Sequence, residues 1–293
     1  MRILSAACVL IFTLTWAAGG LAQSSDPVLV GAGDIAQCDK TEFQQAQATA
    51  ALLDSIPGTI FAVGDLEYPD SSGDYFAKCW APTWGRFRNR MLPAAGNHEY
   101  NMPGAPEYYS YLGPAAADPQ KGYYSTNLGA WHVIVLNAEC SKIGGCTATS
   151  PEGMWLQADL AANPSTCTLA LWHEPLYASD SGAATPSVQP FWQILYNAGA
   201  ELVINGHAHN YERFAPQDPN GNLDQTHGIR EIITGTGGEY PGCSNSKTIT
   251  NSQVQFCNTN GVLKLTLHPT SYDWQFIPIA GETATDSGTT SCH

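Results

Sequence analysis

The chain has 293 residues, 43% of them hydrophobic and 13% charged, with 28 Gly and 19 Pro, which is too apolar for disorder and long enough for one large domain. Its formal charge of −14 repels nucleic-acid phosphates and anionic membranes, so neither a nucleic-acid-binding surface nor a membrane-surface role is expected. A phosphate-binding site on such a surface must bring its own local positive charge, and metal ions are an economical source.

The N-terminus reads as an export signal. Met1-Arg2 precedes a nearly apolar run from Ile3 to Trp16, and Gly20-Leu21-Ala22 offers small residues for cleavage near Ala22. The apolar run is short for a membrane span and lacks a stop-transfer flank. Cys8 has no Leu three residues before it, so no lipid anchor is expected. No linker divides the remainder. The expectation is a signal peptide at 1–22, a single domain at 23–293, and a secreted or periplasmic product. Loss of the leader removes Cys8 and leaves eight cysteines, an even set that in an exported chain implies disulfides. None is spaced as CxxC, which weighs against a zinc-thiolate site. Cys140 to Cys146 and Cys243 to Cys257 enclose short polar loops that could close locally. Among many possible connectivities, the working one joins these two pairs with Cys38–Cys79 and Cys167–Cys292.

Further along, Val28–Gly33 reads as a buried strand and Thr41–Ser55 as a helix opened by a Thr-x-x-Gln cap. Thr59–Val63 is the next strand, 76–90 is helical or irregular, and Met91–Ala95 is a short strand. Trp131–Asn137 is a strand, Pro151–Ala162 a helix, Thr168–Trp172 a strand, Val188–Ala198 a helix and Glu201–Ile204 a strand. From Gly228 the text is all β: Ile229–Thr234, Val262–His268 and Tyr272–Ile279. Strands and helices in this order predict an α/β fold of layered sheets with helices outside.

The candidate chemistry follows predicted strands, at the rim where open α/β sheets bind ligands. Five segments carry it: Gly33-Asp34, Gly64-Asp65-Leu66-Glu67-Tyr68, Gly96-Asn97-His98-Glu99, Trp172-His173-Glu174 and Gly206-His207-Ala208-His209. In four of them Gly precedes the polar residue and permits a tight strand-to-loop turn. Each segment alone is weak, but the five in this order form a pattern. His132 and His268 receive no role, and Tyr108, Tyr109, Tyr111, Tyr123 and Tyr124 read as core or pocket wall.

This series resembles the calcineurin-like metallophosphoesterase superfamily over Val28 to Arg213, and Gly-Asp-x-x-Tyr is similar to the purple acid phosphatases. The resemblance implies a layered β-sandwich flanked by helices (αββα). It also implies a dimetal site: Asp34, Tyr68 and His209 on one metal, Asn97, His173 and His207 on the other, and Asp65 bridging them. His98 would stand beside the substrate phosphate as the catalytic imidazole. Most of the superfamily has His where this chain has Ala36, and Tyr68 compensates as a phenolate ligand. The stretch 174–180 lacks the histidines that plant and animal relatives carry near the leaving group. The extra N-terminal β domain of plant enzymes is not expected here. Glu99, Glu174 and Arg213 are further candidates, the two acids either to orient ligand imidazoles or to sit exposed on an acidic protein, and Arg213 to tie its loop by a salt bridge.

Carboxylate, phenolate, amide oxygen and imidazole suit Fe, Mn or Zn, and phenolate favours Fe(III) paired with Fe(II), Zn or Mn. Two such ions about 3.5–4 Å apart clamp both oxygens in phosphoryl transfer and lower the pKa of bound water. The expected function is a secreted phosphomonoesterase acting on a phosphorylated small molecule or other phosphoester. The alternatives are a phosphodiesterase or nucleotidase on the same site, or a non-catalytic phosphate- or metal-binding exported protein. Nothing in the sequence sets the oligomeric state.

Overall fold

The computed structural model describes residues 26–38, 43–69, 73–119, 121–244 and 247–293. The expected signal peptide and the expected helix cap at Thr41 lie outside these residues. Two β-sheets face each other. The first has six strands in the order Ser287–Ser291, Ser271–Pro278, Gly261–His268, Val28–Ala32, Thr59–Val63 and Met91–Ala94. The second has seven, in the order Ser252–Phe256, Tyr211–Phe214, Arg230–Thr234, Leu202–Asn205, Cys167–Leu171, Trp131–Val135 and Tyr124–Leu128. Val28–Ala32, Thr59–Val63 and Met91–Ala94 run parallel, because helix Gln44–Ser55 and a helical segment ending at Arg90 return the chain to the same end. The four central strands of the second sheet, from Trp131–Val135 to Arg230–Thr234, are parallel too.

The alternating direction of side chains along a strand explains the layers. Leu29, Phe61 and Val63 point into the space between the sheets, against Val133, Leu169 and Ile204. Their neighbours Val30, Ile60 and Ala62 point outward and are covered by Ala46, Ala50 and Leu53 of helix Gln44–Ser55. On the far side, Ile134, Ala170 and Val203 lie under Leu156 of helix Pro151–Ala162 and Phe191 and Leu195 of helix Gln189–Asn197. Strands buried on both faces read as unbroken apolar runs, which is why they stood out in the sequence. The layer order is the expected αββα. Thr59–Val63 and Pro151–Ala162 have the expected bounds, and the other expected strands shift by one or two residues at their ends.

All four disulfides of the working connectivity are present: Cys38–Cys79, Cys140–Cys146, Cys167–Cys292 and Cys243–Cys257. Protein exported and freed of its leader should therefore contain no free thiol. Titration under denaturing, non-reducing conditions checks this, and two or more reactive thiols per chain would contradict it. Among the described residues, no helix is long and apolar enough to cross a membrane.

Candidate metal centre

The carboxyl ends of the parallel strands of both sheets meet at one rim, stitched together by backbone bonds. Gly33 N–H donates to Thr234 O (2.9 Å), Gly237 N–H to Gly33 O (2.8 Å) and Gly206 N–H to His173 O (2.9 Å). Close approach explains the glycines. Gly64 has φ +80 and abuts the His173 ring, while a Cβ on Gly206 would lie 2.6 Å from Asp34 Oδ2. Three non-glycine residues of the rim are left-handed as well: Asp34 (φ 58), Asp65 (φ 50) and His207 (φ 67). Each such residue costs about 1–3 kcal/mol and persists only where its surroundings over-determine it.

The strain aims side chains at one another. Tyr68 Oη lies 2.8 Å from Asp34 Oδ1, 3.0 Å from Asp65 Oδ2 and 3.3 Å from His209 Nε2. His209 Nε2 is 3.3 Å from Asp34 Oδ1, and His173 Nε2 is 3.3 Å from Asp65 Oδ2. Ligand atoms of Asp65, His173 and His207 lie within 4.8 Å of one another. His207 N–H donates to Asp34 Oδ2 (2.8 Å), and His98 N–H to Asp65 Oδ1 (2.9 Å). Asn97 sits between Gly96, which packs on Asp65 and His173, and His98. The structure thus gathers Asp34, Asp65, Tyr68, Asn97, His98, His173, His207 and His209 at one place.

This group attracts positive charge. Burial works against ionisation of Asp34 and Asp65, yet the neighbouring imidazoles hold both below the usual carboxylate range. Burial likewise opposes charge on His173 and His209. The adjacent carboxylates nonetheless push His173 well above an ordinary imidazole, and Asp34 pushes His209 up to about 9. An array that binds protons this tightly suits a cation in their place. Two buried acceptors, His173 Nε2 and Asn97 Oδ1, have no hydrogen-bond partner. Buried polar atoms are rarely left so, and a metal ion satisfies both. His173 Nδ1 lies 2.7 Å from Val63 O; a carbonyl only accepts, so Nδ1 carries the hydrogen and Nε2 is the atom whose lone pair a metal ion would take in place of a proton. The donor set therefore fits two metal ions.

The family described as calcineurin-like phosphoesterase matches residues 25–211. The chain belongs to that family. Among its relatives are purple acid phosphatase 15 of Arabidopsis thaliana, 27% identical over 55% of this chain and 37% of the relative, and Fe(3+)-Zn(2+) purple acid phosphatase 12 of the same plant, 27% identical over 60% and 42%. Acid phosphatase A of Cryphonectria parasitica is 30% identical over 57% of this chain and 38% of its own length. The matches thus span about two fifths of the length of these relatives. The structure is similar to purple acid phosphatase PPD1 from yellow lupin seeds, with TM-score 0.69 and 19% identity over 92% of this chain and 54% of that one. It is also similar to GAP50, the anchor in the inner membrane complex of Plasmodium, with TM-score 0.68 and 13% identity over 92% and 90%. At these identities the likeness shows the calcineurin-like fold.

The three further candidates, Glu99, Glu174 and Arg213, lie around this calcineurin-like rim. Glu99 is fully buried. Its buried carboxylate accepts from the backbone N–H groups of Asp65 (2.9 Å), Leu66 (2.9 Å) and Gly96 (2.7 Å), clamping two ligand loops together. Burial and Asp65 push its pKa up to about 8, against the N–H groups of Gly96 and Leu66. Glu174 turns to Glu139, and burial with that neighbour raises its pKa well above the carboxylate range; the Val63 carbonyl orients His173 instead. Arg213 makes the expected salt bridge, with Nε 2.6 Å from Asp286 Oδ2, and stacks on Trp274. His132 is a packed residue between Asn127 and Asp159, and His268 lies between Asp26 and Asp273. The sequence reading missed two backbone anchors, Val63 O and Pro69 O, which no residue-type pattern reveals. It also missed Glu239, which accepts from Gln37 Nε2 (3.2 Å) and adds to the negative field on Tyr68 and His209. The cluster Gly235-Thr236-Gly237-Gly238 after a strand was the available signal for that loop.

Proposed function

We propose that the chain is an exported dimetal phosphomonoesterase of the purple acid phosphatase type, carrying Fe(III) with Fe(II), Zn or Mn. The observation that carries this reading is the convergence of Tyr68 Oη on Asp34, Asp65 and His209, beside the unpartnered His173 Nε2 and Asn97 Oδ1. Asp34, Tyr68 and His209 would hold one ion, Asn97, His173 and His207 the other, and Asp65 both. When bound, the ions would supply positive charge for the substrate phosphate and bring the pKa of water toward neutrality. Four disulfides support an oxidising compartment, and with it the export signal at 1–22; the single domain at 23–293 is part of the same reading.

The protein's own part is to orient and to move a proton. His98 Nδ1 lies 2.8 Å from Pro69 O and so carries a hydrogen. That leaves Nε2, 3.9 Å from Asp65 Oδ2, as the atom that exchanges a proton with the substrate. The ring also packs on Tyr68, with centroids 4.3 Å apart, which fixes its plane. In this reading a protonated His98 donates from Nε2 to the departing ester oxygen.

Purified, metal-loaded protein should hydrolyse a chromogenic phosphomonoester, and chelation should reduce the rate to background, with recovery when metal returns. Activity that survives complete removal of metal would rule the reading out. His98→Ala should keep both ions, because the bond from His98 to Asp65 runs through the main-chain N–H that alanine retains. Turnover should fall roughly 10²–10⁴-fold, as expected for loss of a general acid. Metal analysis beside steady-state kinetics checks this, and an emptied site would make His98 a ligand.

A further inference from the structure

Beside His207 and His209 lies a pocket of about 440 Å³, walled by one loop carrying Asp180 and Ser181 and another carrying Tyr240 and Ser244. Both loops are held. The buried carboxylate of Glu231 accepts from Leu176 N–H (3.0 Å) and Tyr177 N–H (3.2 Å), and that of Glu212 from Ser179 N–H (2.9 Å), which pins the segment leading to Asp180. The facing loop is tied by the Cys243–Cys257 disulfide and by Gly242 N–H to His209 O at 2.8 Å. The walls also join each other. Ser244 donates from N–H (2.8 Å) and from Oγ to Asp180 Oδ1, while Ser181 N–H donates to Ser244 Oγ (2.7 Å). A cavity whose walls are bonded in this way is preformed and loses little on binding.

Its charge is selective. No Lys or Arg is among the described residues lining it, whereas the Asp180 carboxylate and the ring of Tyr240, 48% exposed, both are. The pocket shares His207 and His209 with the metal centre, so it adjoins a phosphate held there. A second anionic group on an alcohol portion placed here meets the Asp180 carboxylate, with no Lys or Arg of the described lining to offset it. An ammonium group meets a carboxylate and an aromatic face, both attractive to it.

We propose that this pocket takes the alcohol portion of the substrate and selects phosphomonoesters of amino alcohols over those with a second anionic group, Asp180 being the specificity-determining residue. The proposal rests on the phosphomonoesterase reading above. Its test compares kcat/KM for phosphocholine and 3-phosphoglycerate in the metal-loaded wild type and in Asp180→Asn, whose amide oxygen still accepts from Ser244. The wild type should prefer phosphocholine by about tenfold or more, and the variant should lose about tenfold of that ratio, the scale of one partly screened charge. Saturation-transfer NMR with choline alone reads the same pocket without turnover: contact is expected in the wild type and lost in Asp180→Asn. Equal hydrolysis of both esters by the wild type, or a ratio and choline signal unchanged in the variant, overturns the specificity while the phosphomonoesterase reading stands. A metal-loaded protein that hydrolyses no phosphomonoester, the chromogenic one included, overturns both.

Discussion

Asp65→Asn should lose at least one of the two metal ions and lower kcat/KM by about a thousandfold or more. The magnitude follows from the chemistry of the site: metal ions supply several kcal/mol of charge stabilisation in phosphoryl transfer, and each 1.4 kcal/mol is roughly tenfold. Asp65 stands at the centre of the group. It is 2% exposed and accepts from His98 N–H on one oxygen, while the other lies within 3.0 Å of Tyr68 Oη and 3.3 Å of His173 Nε2. Asparagine keeps the volume and tolerates the left-handed backbone at φ 50, while removing the charge and exchanging one acceptor oxygen for an NH2 donor. Asp65→Ala should lose the metals too, but a methyl side chain at that φ adds roughly 1–2 kcal/mol of destabilisation. Comparing the two variants by metal analysis, kinetics and thermal unfolding therefore separates charge from strain. A Asp65→Asn protein that kept two ions and more than a tenth of the activity would remove Asp65 from the bridging position.

Much of this site was legible in the sequence because its parts are local. A Gly followed by Asp, Asn or His after a run buried on both faces marks the end of a parallel strand, and parallel strands deliver their ends to one rim. What was illegible depends on partners distant in the chain. Tyr211–Phe214 contains Glu212 and Arg213, both buried, so its strand character is hidden by charges whose partners, Ser179 and Asp286, lie far away in sequence. Ser287–Ser291 has no large apolar residue and is a strand only because Ser271–Pro278 offers it an edge. Tyr124–Leu128 and Ser252–Phe256 are likewise edge strands of the second sheet. The acids Glu99, Glu212 and Glu231 look like solvated surface in an acidic chain. In the fold all three are buried acceptors of backbone N–H groups, organising the loops that carry function. Such an acceptor is defined by geometry, which residue type alone does not encode.

Tyr68→Phe should bleach the iron-loaded protein and weaken its hold on iron. The phenol is 4% exposed, and burial together with the carboxylates of Asp34 and Asp65 pushes its pKa well above the ordinary value near 10. Without a cation Tyr68 therefore stays protonated, donating to carboxylates 2.8 and 3.0 Å away. Only a strong positive charge at that point reverses the balance, and a trivalent ion does so better than a divalent one. A phenolate bound to Fe(III) donates charge to the metal and absorbs visible light, whereas Zn or Mn(II) in the same place gives no such band. Phenylalanine keeps the ring that packs on His98 at 4.3 Å between centroids, so the loop stays in place and the change isolates the oxygen. Ala36 has no side chain that can hold a metal, so in the proposed reading Tyr68 completes the first site. Absorption spectra and iron analysis of wild type and Tyr68→Phe, grown with iron, decide the matter. An iron-loaded wild type without the band, or a variant whose band is unchanged, rejects Tyr68 as a ferric ligand. Colourless, active protein holding only Zn or Mn keeps the dimetal phosphoesterase and removes the iron.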